Sequence, residues 1–167
     1  MKKKIIITGG LGYIGTELCK LYSGVSWYHK IIIIDNRFIS ERVNQIRNWN
    51  MEFIHGDILD KNLINKYFKD ADVVHHLAGI TSVPRTKSES SRDIDDKIKL
   101  VAEEGTQNIL DAVSNKCKLI FPSTHVVYEG ITEVKKDIKE DEITKPILSY
   151  SSSKAVNEKQ LKESGKN

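Results

Sequence analysis

The octapeptide T-G-G-L-G-Y-I-G, Thr8 to Gly15, is the most informative part of this 167-residue chain. Its glycines fit two overlapping patterns, G-x-G-x-x-G from Gly10 and G-x-x-G-x-x-G from Gly9. Glycines at this spacing permit a tight turn and a close approach of the backbone to a pyrophosphate, which the free N–H groups of a following helix can bind. The stretch therefore predicts a strand, a phosphate-binding loop and a helix, in that order.

A carboxylate at the end of the next apolar run strengthens this prediction. Asp35 lies 20 residues beyond Gly15, where an acid can hold the ribose hydroxyls of a dinucleotide. The glycines alone leave a purely structural turn as an equal alternative, and Asp35 moves the balance toward dinucleotide binding. Its charge favours NAD because it would repel the 2′-phosphate of NADP, although Arg37 keeps NADP as an alternative.

Short runs of isoleucine and valine alternate along the chain with longer segments of helical period, which indicates βαβ units. The predicted strands are Lys4–Thr8, Ile31–Asp35, Met51–His55, Val73–Leu77 and Leu119–Ser123. The predicted helices lie near Tyr13–Tyr22, Glu41–Asn48, Lys61–Phe68, Ile94–Ser114 and Tyr150–Glu163. The fold class is therefore α/β, a doubly wound parallel sheet of the Rossmann type with five strands. The charged segment Glu133 to Lys145 is expected to be an irregular, solvated loop.

Composition excludes several classes of protein. Hydrophobic residues make up 39% and charged residues 29%, a balance typical of one globular domain, and we expect no membrane association. Lys2 to Lys4 precede only three isoleucines, which predicts a buried strand rather than an export signal and favours a cytoplasmic location. Cys19 and Cys117 lack metal-ligand spacing, and a net charge of +3 without a basic stripe argues against nucleic acid as a partner. No metal site is predicted, since His75 and His76 would point to opposite faces of their strand.

Four further motifs resemble those of the extended short-chain dehydrogenase/reductases, a family of UDP-sugar epimerases, sugar dehydratases and related reductases. They are Asp35-Asn36, H-G-D-I at His55–Ile58, H-L-A-G at His76–Gly79 and E-G-T-Q-N-I-L-D-A at Glu104–Ala112. In this family the acid of the second motif meets the adenine amino group. Ala102 departs from the family pattern, which usually has Asn at that place.

The resemblance implies a cofactor, NAD, and a set of residues that hold it. The implied cofactor-binding residues are Gly9, Gly12, Tyr13, Ile14, Gly15, Asp35, Asn36, Asp57, Ile58, Leu77, Ala78, Gly79, Tyr150 and Lys154. Substrate-binding residues of this family come largely from a C-terminal portion. We therefore expect residues 1–167 to be a truncated NAD-binding Rossmann domain without a substrate domain, with little sugar turnover of its own.

Y-S-S-S-K matches the family's Y-x-x-x-K and places Tyr150 and Lys154 on one helical face. A tyrosine has an ordinary pKa of about 10, and a nearby ammonium favours its phenolate. The spacing alone is common by chance on surface helices, so its weight comes from the motifs before it. The resemblance makes Thr124 the third catalytic residue, four positions before Tyr128, while Glu129 interrupts the family's V-Y-G.

The catalytic set implies hydride transfer to and from NAD on a nucleotide sugar, as in UDP-sugar 4-epimerases. Sugar 4,6-dehydratases of the family carry an Asp-Glu pair after the threonine, where this chain has His125 and Val126, so dehydration is disfavoured. A reductase of the same fold and a non-catalytic dinucleotide-binding module remain alternatives. The resemblance also implies a homodimer in which the fourth and fifth predicted helices pack against their mates.

Overall fold

The computed structural model describes residues 1–81 and 91–166 and contains one parallel sheet between two layers of helices. The strands are β1 (Lys4–Thr8), β2 (Lys30–Asp35), β3 (Glu52–His55), β4 (Val73–His76) and β5 (Lys118–Ile120). The helices are α1 (Tyr13–Tyr22), α2 (Ser40–Asn48), α3 (Lys61–Phe68), α4 (Arg92–Ala112) and α5 (Ser149–Glu163), with short 3-10 turns at Ser23–Val25 and His125–Tyr128.

The order of the strands is β3-β2-β1-β4-β5, and all four strand pairs are parallel. The chain runs outward from β1 to β3 and then returns to add β4 and β5 on the other side. The direction of winding therefore reverses between β1 and β4, the point at which such sheets bind ligands beyond the carboxyl ends of their strands. The predicted doubly wound α/β fold is confirmed.

Two apolar cores follow from the alternation of side chains along buried strands. Ile5, Ile7 and Ile33 point to one face, where they pack with residues of α1 and α2 such as Cys19 and Val43. On the other face, Ile6, Ile32, Ile34 and Val74 pack with residues of α3 and α4, including Phe68 and Ile109. Continuous isoleucine runs are required because helices cover both faces of the sheet.

Most predicted elements agree with the structure to within two residues, and β5 is the main correction. It was expected to span Leu119–Ser123 but its ladder with β4 ends at Ile120. Pro122 explains the early end, because proline has no N–H to donate to a neighbouring strand. The segment Glu133 to Lys145 contains no helix or strand and is largely exposed, as predicted.

Candidate cofactor-binding and catalytic site

The glycine loop between β1 and α1 is so tight that two of its positions accept only glycine. Gly9 has φ +69°, and a Cβ there would lie 2.7 Å from the backbone nitrogen of Ala78. A Cβ on Gly15 would lie 2.5 Å from the carbonyl oxygen of Gly9. The loop therefore lies against the end of β4, and the N-terminus of α1 opens beside it, an arrangement that fits a pyrophosphate.

Asp35 ends β2 next to this loop and is 5% exposed. Its carboxylate accepts a hydrogen bond from the N–H of Leu11 at 2.9 Å and from the N–H of Arg37 at 3.0 Å. The Arg37 guanidinium adds two contacts, at 3.1 and 3.3 Å. Asp35 thus lies at the position predicted for a ribose ligand, and it also anchors the glycine loop. A second arginine, Arg42, donates to the carbonyl of Leu11, a contact that no sequence motif indicated.

The predicted adenine-side residues meet one another at the ends of β2 and β3. The Asn36 amide donates to the carboxylate of Asp57 at 2.9 Å. Ile58 is 4% exposed, and the Asn108 amide donates to its carbonyl at 3.0 Å. A Cβ on Gly105 would lie 2.3 Å from the Ile58 side chain, which explains the glycine of the α4 motif. Ile58 therefore supports Asp57 from the core instead of facing solvent.

The remaining predicted cofactor residues surround the same edge of the sheet. Tyr13 and Ile14 are 85% and 60% exposed at the start of α1. Leu77 and Ala78 are half-buried, and their N–H groups donate to the carbonyl and hydroxyl oxygens of Thr8 at 3.1 Å each. Gly79 is exposed beyond them.

A buried chain of hydrogen bonds joins the glycine loop to α5. The imidazole of His76, 1% exposed, lies 2.9 Å from Thr8 Oγ1 and 3.0 Å from Thr106 Oγ1. The Asn157 amide on α5 donates to Thr106 Oγ1 at 3.0 Å and to the Ala102 carbonyl at 2.8 Å. Burial, followed by the charge of Lys154, lowers the pKa of His76 to about 3, so the imidazole is neutral at pH 7.

His75 points to the opposite face, as predicted for adjacent strand residues, and lies 2.8 Å from the Tyr22 hydroxyl. Groups of three or more metal-ligating side chains are absent from residues 1–81 and 91–166. Within the same ranges, the helices are too short or too polar to cross a membrane. Cys19 and Cys117 are buried free thiols, and burial raises their pKa values to about 12 and about 11.

Tyr150 and Lys154 share the face of α5 that lies over the end of β5. Lys154 Nζ is 5.9 Å from the centroid of the Tyr150 ring and 4.3 Å from that of Phe121. It donates to the Pro122 carbonyl at 3.0 Å. Burial lowers the pKa of Lys154 below its ordinary value. The ammonium is therefore held at the tip of β5, one helical turn from the Tyr150 ring.

Thr124 follows β5 and caps the 3-10 turn His125–Tyr128, accepting a hydrogen bond from the Val126 N–H at 3.3 Å. It also lines a cavity of about 1040 Å³ beside β5, whose walls include Phe121, Glu158 and Leu161. Tyr150 and Lys154 do not line this cavity. Ser123 lines the same cavity, and its hydroxyl bonds to Glu158 on α5.

Comparison with known proteins identifies relatives over nearly the whole chain. The model of the NAD dependent epimerase/dehydratase family matches residues 5–167. UDP-N-acetyl-alpha-D-glucosaminuronate decarboxylase from Bacillus cytotoxicus is 37% identical over 130 residues, 77% of this chain and 38% of that protein. CDP-paratose 2-epimerase from Salmonella typhi is 34% identical over 155 residues, 84% of this chain and 42% of that protein.

A solved structure agrees with this result. UDP-glucuronic acid 4-epimerase from Bacillus cereus, crystallised with NAD and a fluorinated UDP-glucuronic acid, has a TM-score of 0.79 and 28% identity. The match covers 98% of this chain and 52% of that one. The chain thus spans between about two fifths and one half of the length of the relatives it matches.

Proposed function

This chain belongs to the NAD-dependent epimerase/dehydratase family, and on that premise we propose that it binds NAD and takes part in the epimerisation of a nucleotide sugar. Residues 1–167 form the cofactor-binding domain in this proposal, and Thr124, Tyr150 and Lys154 are its catalytic residues. The proposed substrate, reaction and catalytic residues are those of the protein when it is active as an enzyme.

The observation that carries the proposal is the buried hydrogen-bond chain from Thr8 through His76 and Thr106 to Asn157. Thr8 adjoins the glycine loop, and Asn157 lies three residues after Lys154 on α5. A phosphate-binding loop and a Tyr-Lys pair therefore belong to one packed body, which supports their use of one cofactor. The tight backbone packing that Gly9 and Gly15 permit at the start of α1 supports a dinucleotide as that cofactor.

The residues of the chain then have separate roles. Lys154 stabilises the phenolate form of Tyr150, which accepts the proton of a sugar hydroxyl and becomes a neutral phenol. Thr124 donates a hydrogen bond to the sugar oxygen as it becomes a carbonyl. NAD, when bound, supplies the acceptor and later the donor of the hydride. Tyr150 would return the proton to the sugar oxygen when the ketone is reduced from its other face, which would invert the carbon centre.

Epimerisation is favoured over dehydration by the residues after Thr124. The chain has an exposed His125 and the apolar Val126 where dehydratases of the family carry an acid pair. Neither side chain can supply a paired carboxylic acid and carboxylate for an elimination. A reductase that uses the same Tyr150 and Lys154 is the second candidate, and Arg37 beside Asp35 keeps NADPH as its possible reductant.

The test combines binding with turnover. Titration of the purified protein with NAD and NADP by calorimetry is expected to show binding of NAD and weaker binding of NADP. Incubation with NAD and a panel of UDP-, CDP- and dTDP-sugars then tests epimerisation. Failure to bind either dinucleotide would refute the proposal, and tight binding without turnover in any panel member would favour a binding module.

Assembly and location complete the proposal. We propose a homodimer that packs through α4 and α5, whose outer faces carry the exposed apolar side chains Ile94, Leu100 and Val156. Sedimentation equilibrium tests this directly, and a monomer at all concentrations would refute it. A cytoplasmic location is supported by two buried cysteines that remain unpaired.

A further inference from the structure

Helix α5 starts without a polar cap of its own. Its N-cap residue is Leu148, whose side chain cannot accept a hydrogen bond. In a capping box the residue at the third helical position, usually Glu or Gln, accepts the N-cap N–H. Ser151 occupies that position and lies 3.2 Å from the Leu148 nitrogen. Within the helix that carries Tyr150, the Ser151 hydroxyl is thus one acceptor for the N-cap N–H.

Glu129 supplies a second and charged acceptor from a segment 19 residues before Leu148. One carboxylate oxygen accepts hydrogen bonds from the N–H groups of Ile147 and Leu148, at 2.7 Å each, and a third from the Ser151 hydroxyl. Ser151 is fully buried. A negative charge at this place also interacts favourably with the amino end of the helix dipole. Glu129 is the residue that interrupts the V-Y-G pattern.

The backbone of Glu129 is joined to the 3-10 turn that Thr124 caps. Glu129 directly follows the 3-10 turn that Thr124 caps, and its N–H donates to the Val126 carbonyl at 3.0 Å. Two further backbone bonds close the base of the loop, from Gly130 to the Lys145 carbonyl at 2.8 Å and from Lys145 to the Val127 carbonyl at 2.9 Å. The carboxylate is thus attached to a short, well-bonded turn.

Glu129 is charged at neutral pH. Burial alone would raise the pKa of its carboxyl group, but the hydrogen bonds from Ser151, Leu148 and Ile147 together hold that pKa below its ordinary value. An ionised carboxylate that accepts three hydrogen bonds makes a stronger link than a neutral side chain could.

We propose that Glu129 is a positioning residue, whose carboxylate clamps the turn of Thr124 to the first turn of α5 and so sets the place of Tyr150 relative to Thr124. The inference rests on the proposed function, in which both residues act on one sugar oxygen. Tyr150 is the second residue of α5, one position before Ser151. A misplacement of about 1 Å in such a site can cost about 10²-fold in rate.

The test compares Glu129→Ala and Glu129→Gln with a matched control, Glu133→Ala, which removes an exposed glutamate from the adjoining loop. Amide hydrogen exchange in the full chain is the first readout. Glu129→Ala is expected to speed exchange at Leu148 and Ile147 by about tenfold, the factor for losing one hydrogen bond, while Ile6 in β1 is unchanged. Glu129→Gln keeps an acceptor oxygen and should give a smaller effect. Ser151→Ala removes one arm of the clamp and serves if Glu129→Ala does not fold.

The second readout is the NMR spectrum of the Tyr150 ring, which reports the position of that side chain. Glu129→Ala should shift the ring resonances of Tyr150 and weaken the contacts between its ring and Lys154. Where the protein turns over a sugar, kcat should fall by about 10²-fold with the Kd for NAD within twofold, and Glu129→Gln should restore part of the loss. Unchanged exchange at Leu148 would overturn the clamp. Faster exchange with unmoved Tyr150 resonances would overturn the positioning role. Exchange and resonances are measured without cofactor, so they stand even if NAD binding fails.

Discussion

The carboxylate of Asp35 accepts the backbone N–H of Leu11 at 2.9 Å, so the acid after β2 holds the glycine loop after β1. Leu11 is fully buried, and its N–H has no access to water. The position predicted for recognition of the ribose is therefore also part of the loop's own structure. Substitutions of Asp35 must separate these two roles.

Asp35→Asn is expected to cost less stability than Asp35→Ala, because an amide oxygen can still accept the Leu11 N–H while only contacts to Arg37 are lost. The loss of charge should weaken NAD binding and narrow or reverse its advantage over NADP, since repulsion of the 2′-phosphate disappears. Asp35→Ala should change the preference for NAD over NADP in the same way. It should also lower the free energy of unfolding by about 1–3 kcal/mol, because the buried Leu11 N–H is left without an acceptor. Calorimetric titration with both dinucleotides and urea denaturation measure the two effects. An unchanged preference in Asp35→Asn would contradict the ribose role.

Gly15→Ala is expected to weaken NAD binding at least tenfold. The new Cβ would lie 2.5 Å from the Gly9 carbonyl oxygen, a backbone atom that can move only if the loop opens. Gly24→Ala is the matched control, because a Cβ at Gly24 meets nothing within 4 Å. That control should keep full affinity and full stability. Equal affinity of the two variants for NAD would show that the loop does not approach the cofactor.

The elements that could be predicted from sequence are those set by local pattern. Isoleucine runs gave β1 and β2 because a strand buried on both faces needs continuous apolar residues. Gly9 and Gly15 were predictable because their spacing reflects backbone conformation. β5 was predicted too long because the apolar pattern around Phe121 outweighed Pro122, whose missing N–H ends the ladder.

The contacts that could not be predicted join residues far apart in sequence. His76 was predicted as a residue of the fourth strand and of the H-L-A-G motif, and neither pattern indicated its bond to Thr106, 30 residues away. Glu129 was interpreted as an interruption of a motif, since no local pattern reveals that it caps a helix beginning 20 residues later. Such partners depend on how the layers pack, which the spacing of residues along the chain does not encode.

Tyr150→Phe is expected to abolish turnover of the nucleotide sugar and to leave NAD affinity within twofold of the wild type. Only the phenolic oxygen is removed, and with it the group that accepts the substrate proton. Tyr128→Phe is a suitable control, because Tyr128 also follows Thr124 closely but its hydroxyl bonds to the Lys139 carbonyl. Initial-velocity assays measure the loss of turnover, and titration measures the retained affinity for NAD. Turnover near the wild-type rate in Tyr150→Phe would assign the proton transfer to another group.

The buried imidazole of His76 predicts a specific dependence of stability on pH. Burial, followed by the charge of Lys154, lowers its pKa in the folded protein to about 3, whereas the ordinary value in an unfolded chain is about 6.5. Below pH 6.5 the unfolded chain therefore binds a proton that the folded protein excludes. Above that pH the shifted pKa of His76 costs no unfolding free energy, and the cost grows as pH falls toward 3. Between pH 7 and pH 5 the loss amounts to about 2 kcal/mol of unfolding free energy.

Urea denaturation at pH 7, 6 and 5 measures this slope, and His76→Gln should flatten it by about that amount. The substitution also removes hydrogen bonds to Thr8 or Thr106, so His76→Gln is expected to be less stable at pH 7 and to differ least from the wild type at pH 5. His125→Gln is the control, because it replaces an exposed histidine that takes no part in the buried hydrogen-bond chain. Histidine NMR resonances give an independent check. A His76 signal that titrates near pH 6.5 in the folded protein would show that the imidazole is not enclosed between β1 and α4.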